Sequence, residues 1–127
     1  MYQNLSIFQA AGAMAKHAGA RQAVVAQNVA NADTPGYRAQ TIAPFTEVFE
    51  KTGLGGMHAT RTGHIGMDQA RGSGTQATFS NAEPAPNGNS VSIEEEMLNS
   101  VAVSREHNRS LAIYRHALTV LRTSIGR

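Results

Sequence analysis

The amino-acid sequence lacks cysteine and tryptophan, and only four phenylalanines and three tyrosines occur among its 127 residues. The absence of cysteine excludes disulfide bonds and thiolate chemistry. Large aromatic side chains supply much of the buried area of a small domain, so their scarcity limits the compact core that this chain can build. Its hydrophobic fraction is carried largely by alanine. Burial must therefore come from close packing of small residues.

Several signals of location and binding are also missing. No stretch approaches the ~18 apolar residues of a membrane-spanning helix, so we expect no membrane insertion. The N-terminus has neither a basic segment nor an apolar segment, so we expect no cleaved secretory signal. The formal charge is +2, and the arginines are spread along the chain rather than interleaved with aromatics. This distribution argues against nucleic-acid binding.

The residues that often carry chemistry do not form a recognisable site. Neither His58 with His64 nor His107 with His116 has the i, i+4 spacing of helical metal ligands. The acidic run Glu94 to Glu96 is explained as the first turn of a helix. We therefore predict no metal, no cofactor and no enzymatic activity.

The N-terminal part of the chain, residues 1–33, is predicted to form a long helix from about Asn4 to Asn31. Between Ala10 and Ala32, twelve of 23 residues are alanine or glycine, which lets helix backbones approach closely. A 3–4 spacing, which also includes Gln22, predicts one packing face. The candidate interface residues on this face are Phe8, Ala11, Ala15, Ala18, Val25 and Val29.

The C-terminal part, residues 92–127, is predicted to form a second long helix. Ser92 and Glu95 have the spacing of a capping box, and acidic residues occupy the first turn. A 3–4 series starts with Met97, Ser100, Ser104 and His107 and becomes apolar only further along. The candidate interface residues in that apolar part are Leu111, Tyr114, Leu118, Leu121 and Ile125.

The middle of the chain, residues 34–91, has no sustained period of 2 or 3.6. Between Gly53 and Asn89 it contains eight glycines and reads as an irregular loop. Phe45 and Phe49 predict one short amphipathic turn before that loop. We therefore predict a mainly α fold, in which the two terminal helices form one coiled-coil or bundle domain within an assembly.

A proline turn follows the first helix. The residue before a proline avoids the α region, so the helix must stop by about Thr34. Pro35 and Gly36 suit the central positions of a type II turn, where glycine accepts a positive φ.

This turn lies in a longer motif. Its matching residues are Asn28, Ala30, Asn31, Thr34, Pro35, Gly36 and Tyr37, and the motif resembles the Asn-x-Ala-Asn-x-x-Thr-Pro-Gly-Tyr signature of bacterial flagellar axial proteins. The run from Pro86 to Val91, followed by Glu95 to Met97, is similar to the start of the last helix in the short rod proteins of that family. Asn87 and Ser92 each replace a usual aspartate, which turn and cap chemistry tolerate. Residues Thr60 to Ile65 resemble the Thr-x-x-x-His segment that the same family carries in the middle of its sequences.

The resemblance implies a structural subunit of the proximal flagellar rod. Such a subunit polymerises into the drive shaft that spans the periplasm and encloses the export channel. The implied partners are copies of itself, other rod proteins, the adaptor between rod and membrane ring, and the export gate. The resemblance also implies export by the flagellar type III apparatus without a cleaved signal. The alternative is a non-flagellar coiled-coil adaptor or scaffold, which would form a discrete dimer or tetramer.

Overall fold

A computed structural model describes residues 2–52 and 76–126. In these ranges the chain forms a helix α1 (Tyr2–Ala30), a strand β1 (Gln40–Thr41), a helix α2 (Phe45–Thr52), a strand β2 (Thr78–Phe79) and a helix α3 (Ile93–Ile125). The predicted mainly α fold with long terminal helices is confirmed. Most of the predicted glycine-rich loop, with His58, His64 and the segment Thr60 to Ile65, lies outside the described residues.

The two long helices run antiparallel and pack along their length. Asn28, near the end of α1, contacts Glu96 at the start of α3 through a hydrogen bond of 3.0 Å. At the other end of the pair, the rings of Phe8 and Tyr114 meet edge to face with centroids 5.0 Å apart. At a rise of 1.5 Å per residue the helices are about 43 and 50 Å long. The result is an elongated helical hairpin.

The buried contact between the long helices follows a seven-residue spacing on both sides. α1 buries Ala11, Ala18 and Val25. α3 buries Glu96, Val103 and Ser110. Small side chains on α1 allow the close approach that its composition predicts.

The three buried positions of α3 each lie one residue before a member of the predicted 3–4 series, namely Met97, Ser104 and Leu111. That series includes Met97, which is 65% exposed, whereas its neighbour Glu96 is buried. The difference arises because two of the three buried positions are polar. Ser110 satisfies its hydroxyl by donating to the His107 carbonyl at 2.7 Å. A pattern of apolar residues cannot detect such a packing face.

The middle elements cover one side of the hairpin. β1 and β2 pair antiparallel, with Gln40 opposite Phe79. The Phe45 ring of α2 lies edge to face against His17 of α1, with centroids 5.5 Å apart. The predicted amphipathic turn is therefore present, as a helix of eight residues. The two short strands were not predicted, since two residues cannot display an alternating pattern.

The ends of α3 are set by local chemistry. Ser92 is the N-cap, and its Oγ accepts a hydrogen bond from the Glu95 backbone N–H at 3.4 Å. At the other end, Gly126 adopts φ +82° and its N–H bonds back to the last turn. The start of α3 predicted at Ser92 is confirmed.

Candidate functional site

The N-terminal motif and the segment before α3 pack against each other where α1 ends and α3 begins. We call this region the helix junction. It consists of Asn28, residues 31–37, residues 87–90 and Glu96. Its backbone and side-chain hydrogen bonds connect parts of the chain that are more than 50 residues apart.

The motif turn has the geometry that the sequence predicts. The Tyr37 N–H donates to the Thr34 carbonyl at 3.3 Å, and Gly36 has φ +72°. A positive φ at the third position, directly after a proline, defines a type II turn. The Thr34 hydroxyl also donates to Asn31 Oδ1 at 3.3 Å, which ties the turn to the end of α1.

A second glycine turn lies directly against the first. Its Gly88 N–H donates to the Ala85 carbonyl at 2.7 Å, and Gly88 has φ +80°. The two turns are joined because the Gly36 N–H donates to the Asn87 carbonyl at 3.0 Å. A Cβ at Gly88 would lie 3.3 Å from Gly36 Cα. Both glycines are therefore needed for their backbone conformation, and Gly88 also for close approach.

Asn89 caps the end of α1 from a distance in sequence. Its Nδ2 donates to the carbonyls of Asn31, Ala32 and Thr34 at 3.0, 2.7 and 2.9 Å. Its Oδ1 accepts from the Val91 N–H at 2.7 Å. The Asn31 and Thr34 carbonyls also accept from the Thr34 and Tyr37 N–H groups, so this buried amide gives the turns that follow α1 a further partner from a distant segment.

Asn28 is the most deeply buried polar group of the helix junction, with 0% exposure. Its Nδ2 donates to the Gln40 carbonyl at 2.7 Å and to Glu96 Oε1 at 3.0 Å. Its Oδ1 accepts from the Gln40 N–H at 3.1 Å and from the Tyr37 hydroxyl at 3.4 Å. One amide thus joins α1, the motif turn, β1 and α3. Because this buried amide has partners at both of its polar atoms, its hydrogen bonds favour one arrangement of these elements.

Glu96 is the titratable group of this network. Burial raises the pKa of its carboxyl above the usual value of 4.5. The hydrogen bond from Asn28 opposes that shift of the pKa, and the neighbouring Glu95 carboxylate adds to it. The other oxygen, Oε2, is buried and receives no hydrogen bond from the described residues. The pKa shift is upward because water no longer solvates the ionised form.

The structure brings the predicted turn residues together in the helix junction. Asn28 is buried, Tyr37 is half-buried, and Pro35 lies on the exposed side of the turn. Sequence reasoning did not select Asn89, Ser90 or Glu96 as site residues. The Asn-Gly-Asn-Ser run marked the turn before α3, but no local signal shows that its side chains reach α1.

The candidate interface residues differ in how far they are buried. Ala11, Ala18 and Val25 pack inside the hairpin, and the half-buried Phe8 contacts Tyr114, which is 44% exposed. Ala15, Leu111, Leu118 and Leu121 are half-buried. Val29 and Ile125 are exposed, at 44% and 76%. A role of any of these residues in contacts with other subunits stays a prediction.

The described helices are not long and apolar enough to cross a membrane. Taken together, the long helices and the polar junction define a class of elongated helical hairpin whose two helices are fixed by hydrogen bonds at one end. Comparison with known proteins agrees with this class. The sequence model of the family described as "Flagella basal body rod protein" matches residues 9–38, which run from α1 through the motif turn.

A curated relative extends the match over most of the chain. The chain is 31% identical over 119 residues to the flagellar basal body rod protein FlgB of Agrobacterium fabrum. The match covers 87% of this chain and 86% of that protein. The chain therefore belongs to the flagellar basal body rod protein family and is of the FlgB type. The family is structural rather than enzymatic, and it supports a role in the rod of the flagellar basal body.

Proposed function

We propose that this chain is a subunit of the proximal rod, where it polymerises with copies of itself and with other rod proteins. The helix junction is the observation that carries this proposal. It joins the two motif segments through Asn28 and Asn89 and holds α1 against α3 as one unit. A subunit of a rotating shaft must transmit force between neighbours without bending at its own connection.

The outer surface of the hairpin supports assembly. Exposed large apolar residues recur along α3, and Ile93, Met97 and Val101 form a stripe at four-residue intervals, the kind of contiguous apolar surface that marks contacts between proteins. They are Ile93, Met97, Leu98, Val101, Ile113, Tyr114, Val120 and Ile125. We assign this surface to contacts with neighbouring subunits. The exposed candidate residue Val29 and the half-buried Ala15 on α1 belong to the same set of contacts.

The finer features of the function rest on the family resemblance. Subunits stacked by a rotation and a rise form a tube, whose interior serves as the export channel. The adaptor to the membrane ring and the export gate are the proposed partners at the base of that tube. The chain reaches this place through the flagellar type III apparatus without losing a signal peptide.

A tagged copy of the chain in its own cells tests the proposal. We expect a small C-terminal tag to appear in purified basal bodies by immunogold electron microscopy, at the rod close to the membrane ring. Deletion of the chain should abolish the rod, and the untagged chain should restore motility. A discrete soluble dimer or tetramer that is absent from basal bodies would favour the alternative, a non-flagellar adaptor.

A further inference from the structure

One face of the hairpin is not covered by any element in the described ranges. α2 packs on α1 at His17, and Gly19 lies about 200° further round the same helix. Gly19 therefore points to the side away from α2. Here the long helices enclose a groove of about 390 Å³, lined by Gly19, Gln22, Ser100, Ser104 and His107 over a floor of Ala18 and Val103. We call this the open groove.

The open groove has the chemistry of a surface that another helix covers. None of its lining residues is an acid, a lysine or an arginine. A Cβ added at Gly19 would meet nothing within 4 Å, so the groove is open at this position. Charged residues are depleted in the centres of protein interfaces, and small residues allow a helix to approach closely.

A ridge of exposed side chains lies on the outer side of α3. Leu98 and Val101 are 73% and 51% exposed. Leu98 stands about 160° round the helix from Ser100 in the open groove, so the groove and Leu98 are on different sides of one chain. Glu94 precedes Leu98 by four residues and Arg105 follows Val101 by four. We call these four residues, Glu94, Leu98, Val101 and Arg105, the outer ridge.

The charges at the two ends of the outer ridge select one orientation in the open groove. Lys16 is exposed on α1, one turn before Gly19. A ridge that lies parallel to α1 with Leu98 over Gly19 brings its Glu94 beside Lys16. Its Arg105 then lies toward Glu94 of the chain that supplies the groove. The reverse orientation would place Arg105 toward Lys16 and the two Glu94 residues toward each other, which like-charge repulsion disfavours.

We propose that the outer ridge of one copy seats in the open groove of a second copy, parallel to its α1, with Leu98 over Gly19. The inference rests on the proposed function, because the occupant is a neighbouring rod subunit. The two surfaces differ and lie on different sides of the chain. Such a heterologous contact repeats without closing into a dimer and generates a helical array.

The size of the contact explains why it forms in an array. From Glu94 to Arg105 the outer ridge extends about 17 Å, and a helix is about 11 Å wide. The contact therefore covers about 400 Å² in total, below the roughly 1,200 Å² of a stable interface. The purified chain should remain monomeric through this contact alone, and other rod contacts must support it.

Cysteine cross-linking in isolated basal bodies tests this pairing, since the natural chain has no cysteine. A chain with Gly19→Cys and Leu98→Cys should form a ladder of disulfide-linked dimers and higher oligomers on non-reducing gels. Each single variant should run as a monomer. The pair Ala13→Cys and Leu98→Cys is the matched control, because Ala13 is exposed about 120° round α1 from Gly19. It should give no ladder.

The outcomes separate this contact from the rod function. Dimers from either single variant would show a symmetric contact and overturn the proposal, as would a disulfide that stays within one chain. Normal assembly of the double variant without any ladder would overturn the contact and leave the rod function intact. Absence of the unsubstituted chain from basal bodies would overturn both. Adding Lys16→Glu should reduce the ladder about two- to fivefold, as expected for an exposed ion pair, whereas Lys16→Arg should preserve it.

Discussion

Asn28 offers a sharp test of the helix junction, because Asn28→Asp changes one amide nitrogen to oxygen and keeps the side-chain shape. The native Nδ2 donates to the Gln40 carbonyl at 2.7 Å and to Glu96 Oε1 at 3.0 Å. In the variant, oxygen atoms face each other at both positions. Each buried group that loses its partner costs about 1–3 kcal/mol. The second carboxyl beside Glu96 adds repulsion, so we expect the free energy of unfolding to fall by about 3–5 kcal/mol in total at pH 7.

Asn31→Asp is the matched control, because it makes the same chemical change in the same motif. Asn31 Nδ2 donates to the Gln27 carbonyl at 2.7 Å, but this bond is exposed and water can replace it. We expect a loss of about 1 kcal/mol or less, which includes the unfavourable charge at a helix C-terminus. Urea denaturation followed by circular dichroism measures both free energies of unfolding. Equal losses would refute the assignment of Asn28 as the central hydrogen-bonding group.

The pH dependence distinguishes lost hydrogen bonds from a general packing defect. In Asn28→Asp, two carboxyl groups share a buried site, so one of them should bind a proton more readily than an isolated carboxyl. The proton supplies the missing donor. We therefore expect the difference in free energy of unfolding between Asn28→Asp and the natural chain to shrink as the pH falls from 7 to 5. A difference that stays constant would contradict this explanation.

Three further predictions, with five substitutions, can be tested by the same urea titrations. Gly36→Ala should cost about 1–2 kcal/mol at its positive φ, whereas Gly12→Ala, with open space in a helix, should gain up to about 1 kcal/mol. Because the pKa of Glu96 is raised in the folded chain, this carboxyl contributes its full stability below pH 4.5, and the contribution is lost as the pH rises through the raised pKa. In Glu96→Gln the free energy of unfolding should no longer fall over this pH range. Leu118→Asp, at a half-buried position, should cost about 2 kcal/mol or more and block swimming on soft agar, while Leu98→Asp should change the free energy of unfolding by less than about 0.5 kcal/mol.

The ends of the helices could be predicted because their causes are local. A serine before an acidic turn predicts the N-cap at Ser92, and a Pro-Gly pair predicts the type II turn after Thr34. Both signals depend on residues within four positions of each other. The structure realises both, with the Ser92 cap at 3.4 Å and the Thr34 to Tyr37 bond at 3.3 Å.

The helix junction could not be predicted, because its contacts are distant in sequence and polar. Asn89 reaches carbonyls that lie 55–58 residues earlier in the chain. An asparagine next to a turn glycine is common for local reasons, so the residue type does not reveal a distant partner. Glu96 was explained by its place in an acidic first turn. That explanation is adequate for Glu94, which is exposed, but not for Glu96, which is buried.

The two turn glycines show why the motif segments belong together. Gly36 needs its positive φ after Pro35, and Gly88 needs its own positive φ before α3. Each requirement alone would mark an ordinary turn. The 3.3 Å approach of a Gly88 Cβ to Gly36 Cα adds a constraint that neither turn has separately, since a side chain at position 88 would push the two segments apart. The Gly36 to Asn87 bond and the Asn89 cap would then lengthen together, and the end of α1 would lose its distant partners. The motif is therefore a structural device that fixes one long helix on the other, which is a property that the proposed role as a rod subunit requires.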